Sequence, residues 1–193
     1  MANHFYAILS RMKNIDRWSL MRNTRKESLC EHSFEVSLIA HALAVIGNKR
    51  LNKNINADLC ASSALFHDTS EILTGDMPTP VKYYNPEIKE AYKKVENVAN
   101  AKLLSMLPSD LKEEIEPLYN PTGEIKTLIK AADRISALIK CIEETAMGNK
   151  EFSAAKQSIL DSIKEMNCKE ADIFIEEFLE SYSLTLDEQN AIL

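Results

Sequence analysis

Residues 123–147 read GEIKTLIKAADRISALIKCIEETAM, and this stretch decides the fold. Ile125, Leu128, Ile129, Ala132, Ile135, Leu138 and Ile142 recur at the spacing of one helical face, so the segment predicts a long amphipathic helix that Gly148 stops. One acid, Asp133, falls inside that apolar stripe beside Ala132. A buried carboxylate needs a cation or hydrogen-bond donors, and Arg134 next to it offers an ordinary ion pair as one answer.

The neighbouring segments carry the same period. Residues 3–13 present Phe5, Ile8, Leu9 and Met12 at helical spacing. An irregular stretch, Asn14 to Glu27, is dense in arginine: Arg17, Arg22 and Arg25. Ser28 and Glu31 have capping-box spacing, and the helix they open buries Val36, Ile39, Ala40 and Leu43 and is expected to end at Gly47. Asn56 caps the next helix, expected to run through Leu59, Leu65 and Phe66 to His67. Gly75, Pro78 and Pro80 mark a loop. Asn85-Pro86 starts a helix to about Met106 with Tyr92, Val95, Val98 and Leu103 as its apolar positions. A short helix lies between Pro108-Ser109 and Pro117, and two or three more finish the chain, with Thr185 and Glu188 capping the last. No alternating run of β-branched residues reads as a strand. The expectation is an all-α fold, one domain over 1–193, with a site-bearing core at about 14–140 and helices at about 150–193 packed on it.

Bulk properties agree. A chain of 193 residues with 45% hydrophobic residues can bury a core unaided, and four glycines and six prolines are too few for a loop-rich β protein. A net charge of −6 and a pI near 5.3 give no general attraction to nucleic acid polymers or membranes. The N-terminus lacks a signal-peptide core, and no run approaches the roughly 20 apolar residues of a membrane span. Cys30, Cys60, Cys141 and Cys168 form no CxxC pair and read as buried free thiols of a cytoplasmic protein.

Chemistry concentrates in a few polar residues. His32 shares the inward side of its helix with Val36, and His67-Asp68 follows the apolar run Ala64-Leu65-Phe66. Each alone has a plain structural reading, a hydrogen-bonded core histidine or a capped acid. Together with Asp133 they make a two-histidine, two-carboxylate set that suits a divalent transition metal better than Mg²⁺ or Ca²⁺. On a continuing helix Glu71 would share a face with His67 and Asp68.

The order His32, His67-Asp68, Asp133 resembles the HD-domain metal-dependent phosphohydrolases. With Arg17-Trp18-Ser19-Leu20-Met21-Arg22, Glu31-His32-Ser33, His67-Asp68-Thr69-Ser70-Glu71 and the stretch Thr74 to Lys82, the chain is similar to bacterial 5′-deoxynucleotidases of the YfbR type, to about residue 180. The resemblance implies a single HD-domain helical bundle around a central metal site. It implies hydrolysis of deoxyribonucleoside 5′-monophosphates, with His32, His67, Asp68 and Asp133 as ligands of one divalent ion per chain. Co²⁺ or Mn²⁺ come first, with Zn²⁺, Fe²⁺ or Cu²⁺ as further candidates. Glu71 would carry a proton or orient a ligand, and Arg17 would bind the phosphate. Trp18 would pack on the sugar and exclude a 2′-hydroxyl, or else anchor the first two helices. Asp76 would accept from the 3′-hydroxyl or serve a plain turn, with His32, Met77, Pro78 and Thr79 as further substrate contacts. Arg22 and Arg25 are expected in solvent or ion pairs. A homodimer is also implied. Two other readings share these residues: an alarmone hydrolase of another HD branch, disfavoured because Ile72 and not an acid follows Glu71, and a catalytically idle regulatory module.

Overall fold

The computed structural model describes residues 3–82 and 84–190, with the side chains of Thr79 and Pro80 outside the described set. Helix α1 (Phe5–Leu9) tightens into a 3-10 turn over Ser10–Asn14. The loop that follows folds back on itself: the Arg17 amide donates to the Glu27 carbonyl at 2.9 Å and the Leu29 amide to the Ile15 carbonyl at 2.8 Å. An isolated bridge pairs Asp16 with Ser28, and no strand forms among the described residues.

Helix α2 (Leu29–Arg50) opens on the expected capping box, Ser28 accepting from the Glu31 amide and Glu31 accepting from the Ser28 amide. It runs past Gly47. A Cβ on Gly47 would lie 2.9 Å from Ile55 and 3.0 Å from Glu170, so this glycine permits close packing and does not end the helix. The left-handed stop falls on Asn52, φ 56°. Asn56 caps α3 (Ala57–Leu65) by accepting from the Leu59 amide. That helix stops short of the His-Asp pair: residues 66–70 form a turn, and α4 is a single turn, Glu71–Thr74. The expected continuous helix through His67 to Glu71 is therefore corrected to helix, turn, helix.

Gly75, at φ 75°, ends α4. Within the expected loop a short α5 (Thr79–Lys82) forms, the Pro78 carbonyl accepting from the amides of Val81 and Lys82. Asn85 caps α6 (Pro86–Leu104). Its buried side is Tyr92, Ala99, Leu103 and Leu104, whereas Val95 and Val98, expected in the core, are exposed. Then come α7 (Ser109–Ile115), α8 (Gly123–Ala146), α9 (Ser153–Glu165), α10 (Lys169–Phe178) and α11 (Leu186–Asn190), the last opened by a Thr185–Glu188 box.

Helices α2 and α8 pack together at the centre, with α3 against both, α9 on α8 and α10 on α2. Leu43, Ala64, Leu128, Ile135, Ile163 and Phe174 belong to one buried cluster drawn from all five. A second cluster joins Phe5 to Leu103, Leu104 and Leu107. Helix α2 has the length and mean hydropathy, 1.4, of a membrane span, contrary to the reading above, but just over half of that window is buried inside the bundle, as a central core helix requires. Cys60, Cys141 and Cys168 are buried and free; Cys30 is free but exposed, another correction.

The arginine-rich loop is fastened to the end of α8 by Glu144. This carboxylate is 1% exposed and accepts from the Thr24 amide at 2.9 Å, the Arg25 amide at 3.2 Å and Asn149 Nδ2 at 2.8 Å, beside the Lys140 ammonium. Burial opposes its charge, but Lys140, Thr24 and Asn149 outweigh burial and hold it below the usual 4.5. Glu144→Ala would strand the Lys140 ammonium and should cost about 3–5 kcal/mol in urea unfolding. Because the unfolded chain takes up the proton first, the stability from Glu144 is complete above about 4.5 and lost as pH falls below it. Glu144→Gln should therefore lose stability less steeply in acid than the parent, and superimposable acid titrations of the two would refute this.

Candidate metal and substrate site

The central helices bring four of the predicted side chains to one place. His32 stands in the first turns of α2, fully buried; His67 and Asp68 occupy the turn after α3; Asp133 lies midway along α8. Ligand atoms from all four lie within 4.8 Å of one another. His32 Nε2 is 3.1 Å from Asp133 Oδ1 and 3.7 Å from Asp68 Oδ2, and His67 Nε2 is 3.0 Å from Asp68 Oδ2. Arg134 turns away, its Nη1 donating to the Ser162 carbonyl.

The neighbours of the two imidazoles fix where their ring protons lie. His67 Nδ1 lies 2.7 Å from the Ala64 carbonyl, which can only accept, so that nitrogen carries a proton. Ser136 donates its hydroxyl proton to Glu35 at 2.6 Å and so accepts from His32 Nδ1 at 3.0 Å. A neutral imidazole in either place would point a lone pair from Nε2 at a carboxylate, and neither Nε2 has a hydrogen-bond partner despite complete burial of the atom. Lone pairs facing carboxylate oxygens at about 3 Å repel unless a positive charge sits between them. Burial and the nearby Arg17 hold His32 neutral, whereas at His67 burial is outweighed by Asp68 and Asp133, which raise the ring to about 9, so that a proton on Nε2 stands where a cation would otherwise sit. The donor set fits a divalent transition ion, with two nitrogens and two oxygens presented to one point.

Around this point stand the other candidates. Glu71 is buried, with Oε2 unpartnered and Oε1 4.0 Å from Lys82 Nζ. Burial, with Asp68 and Asp76 near, pushes its carboxyl up to about 9. Arg17 is nearly enclosed; Nη1 pairs with Glu27 at 2.7 Å, while Nε is a buried donor with no acceptor. Trp18 stacks obliquely on Phe152, ring centroids 5.3 Å apart, and its amide donates to Asp76 Oδ2 at 3.3 Å. That bond ties the Arg-Trp loop to the Gly-Asp loop. The aromatic partner of Trp18 is Phe152, in the 3-10 turn beyond α8. Met77 and Pro78 are half-buried in the same loop; Thr79 opens α5 with its backbone, and its side chain lies outside the described residues. Arg22 and Arg25 pair with Glu151 and Glu31 at the surface.

Sequence reasoning missed the residues behind the site: Glu27, Glu35, Ser136 and Glu144. Two of them carried a signal. Glu35 and Ser136 each sit three residues after a candidate ligand, His32 and Asp133, on a predicted helix, where a supporting side chain would stand.

A family model described as 5′-deoxynucleotidase YfbR-like matches residues 4–182. A 5′-deoxynucleotidase of Photorhabdus temperata is 46% identical over 189 residues, covering 96% of each chain. One from Vibrio vulnificus is 48% identical and covers 96% of this chain and 97% of its own. Among solved structures, an HD-domain phosphohydrolase from Listeria innocua superposes with a TM-score of 0.82 at 23% identity, covering 97% of this chain and 92% of its own. The cyanophage S-2L HD phosphohydrolase DatZ, bound to dA and one catalytic Zn²⁺, reaches 0.66 at 19% identity over 91% of this chain and 96% of its own. At those identities the likeness of the solved structures is one of fold, whereas the family match and the sequence relatives span nearly the whole chain. On that basis the chain belongs to the YfbR-like 5′-deoxynucleotidase family.

Proposed function

We propose that this chain, acting as one HD domain, hydrolyses deoxyribonucleoside 5′-monophosphates to deoxyribonucleosides and phosphate. The observation that carries the reading is the pair of buried, unpartnered imidazole nitrogens facing Asp68 and Asp133. The names of the sequence relatives support the substrate class. His32, His67, Asp68 and Asp133 would hold one divalent ion, Co²⁺ or Mn²⁺ by preference, with Zn²⁺, the ion in DatZ, and Fe²⁺ or Cu²⁺ as further candidates. Such an ion supplies Lewis acidity toward water and toward a phosphoryl oxygen.

The protein's own groups do the rest. Arg17 stays charged at any relevant pH, and its unpartnered Nε can donate to a phosphate oxygen. Water attacks phosphorus as the bond to the 5′-oxygen breaks. We assign the proton transfer to Glu71, whose carboxyl, held protonated by burial beside Asp68 and Asp76, can give its proton to the leaving 5′-oxygen and regain one from the attacking water. Trp18 stands over the sugar and disfavours a 2′-hydroxyl by its bulk. Asp76 accepts from the 3′-hydroxyl while also holding the Trp18 amide, and His32, Met77, Pro78 and Thr79 complete the contacts. Four free cysteines and an acidic chain support a cytoplasmic setting without nucleic acid or membrane partners.

Chelator-treated protein should release no phosphate from dAMP, and Co²⁺ or Mn²⁺ should restore release. His67→Ala should abolish Co²⁺ binding, read from its visible absorption, and Ser136→Ala should weaken it about tenfold through the loss of the bond that orients His32. Full Co²⁺ affinity in His67→Ala would remove this ligand assignment.

Arg17→Ala should still bind Co²⁺ but lose at least about a hundredfold in kcat/KM on dAMP. Trp18→Ala should narrow the preference for dAMP over AMP. Unchanged rates in the first variant, or an unchanged preference in the second, would contradict the respective role.

A homodimer is supported by an apolar stripe on α2, where Phe34, Leu38 and Val45 are exposed at intervals that share one helix face. Light scattering at micromolar concentration should give twice the chain mass, and Leu38→Asp should give the single mass. A monomeric parent would overturn this.

A further inference from the structure

We infer that Glu27 is a positioning residue that locks Arg17 and Trp18 together, and that through them it sets phosphate affinity and the preference for a deoxy sugar. This rests on the substrate reading above. One carboxylate oxygen, Glu27 Oε2, accepts from both Arg17 Nη1 at 2.7 Å and the Trp18 indole Nε1 at 3.0 Å. The side chains of Arg17 and Glu27 are only 11% and 13% exposed, so the pairing is largely removed from water, where a charge-assisted bond holds geometry well. Glu27 is itself fixed. Its carbonyl accepts from the Arg17 amide, and the next residue, Ser28, forms the α2 cap and the bridge to Asp16.

The other restraints on Trp18 do not orient its ring. Its backbone is left-handed, φ 58°, a conformation a bulky residue keeps only when neighbours impose it. The Asp76 carboxylate holds its amide, and its carbonyl accepts from Asn23 Nδ2 at 3.2 Å and the Met21 amide at 2.9 Å. Phe152 supports one side of the indole. The bond from the indole N–H to Glu27 Oε2 is the directional restraint on the ring, since a ring contact such as that with Phe152 does not distinguish its two edges. Glu27 therefore decides which edge of the ring faces the sugar. The same oxygen holds Arg17 by Nη1 and leaves Nε as the donor without an acceptor. A permanent counter-charge also lets a buried guanidinium persist when no phosphate is present.

Trp18 is the only tryptophan in the chain, so its fluorescence reports this clamp without any turnover. Glu27→Ala should shift the emission to longer wavelength, increase acrylamide quenching and reduce the ratio of kcat/KM for dAMP over AMP about tenfold, with Co²⁺ stoichiometry unchanged. Glu27→Gln keeps an acceptor for the indole but not the charge. It should preserve the emission and the ratio while raising KM for dAMP about tenfold. If Glu27→Ala does not fold, the Gln variant alone carries the test through that split. Lys26→Ala, which removes the exposed pair with Asp16 in the same loop, should leave every readout at the parent value. Parent-like emission and ratio in Glu27→Ala, or a parent-like KM in Glu27→Gln, would overturn the clamp. A Co²⁺-loaded parent that does not hydrolyse dAMP would overturn the proposed function instead, and the emission arm would still decide whether Glu27 holds the ring.

Discussion

Asp68 and Asp133 meet two imidazole nitrogens whose ring partners have already committed their protons, to the Ala64 carbonyl in one case and to Ser136 in the other. Lone pairs on neutral rings would face carboxylates across about 3 Å in a largely dehydrated place, and only a positive charge between them relieves the repulsion. The remaining architecture serves this constraint. Helices α2 and α8, the two central helices of the core, supply His32 and Asp133, and neither backbone can drift without disturbing packing on several sides. The turn after α3 supplies His67 and Asp68 together, because a chain leaving a helix can aim two successive side chains at one point more freely than a helix interior can.

The substrate side is built differently. Its residues come from loops, and those loops are stapled by polar contacts together with the packing of Trp18 on Phe152. Glu144 grips Thr24 and Arg25 from the end of α8, Asp76 holds the Trp18 amide, and Glu27 holds Arg17 and Trp18, the side chains we assign to the phosphate and the sugar. On the proposed reading the helix-borne cluster and the loops could vary separately: substitutions in the loops would retune which nucleotide enters, while the helix core would keep the ligand geometry.

Helix periodicity was readable because it is a local property. The stripe through Ile125 to Ile142, the Ser28–Glu31 and Thr185–Glu188 boxes and the Asn56 and Asn85 caps all stand where spacing put them. Errors arose where tertiary contact overrides local preference. Gly47 is a glycine because Ile55 and Glu170 press on it, not because a helix ends there. Val95 and Val98 stay exposed because α6 is covered by the bundle along only part of its surface.

By itself the sequence determined an all-helical chain, the identity of the candidate ligands and the family, since helix period, residue chemistry and motif order all survive without coordinates. Only the tertiary structure decided that His67 and Asp68 sit on a turn, that Ser136 and Glu35 stand behind His32, and that Glu27 binds Arg17 and Trp18 through one oxygen. The reason is physical: which proton a buried nitrogen keeps and which acceptor a side chain finds depend on distances of about 3 Å between groups far apart along the chain, and no local pattern encodes those distances.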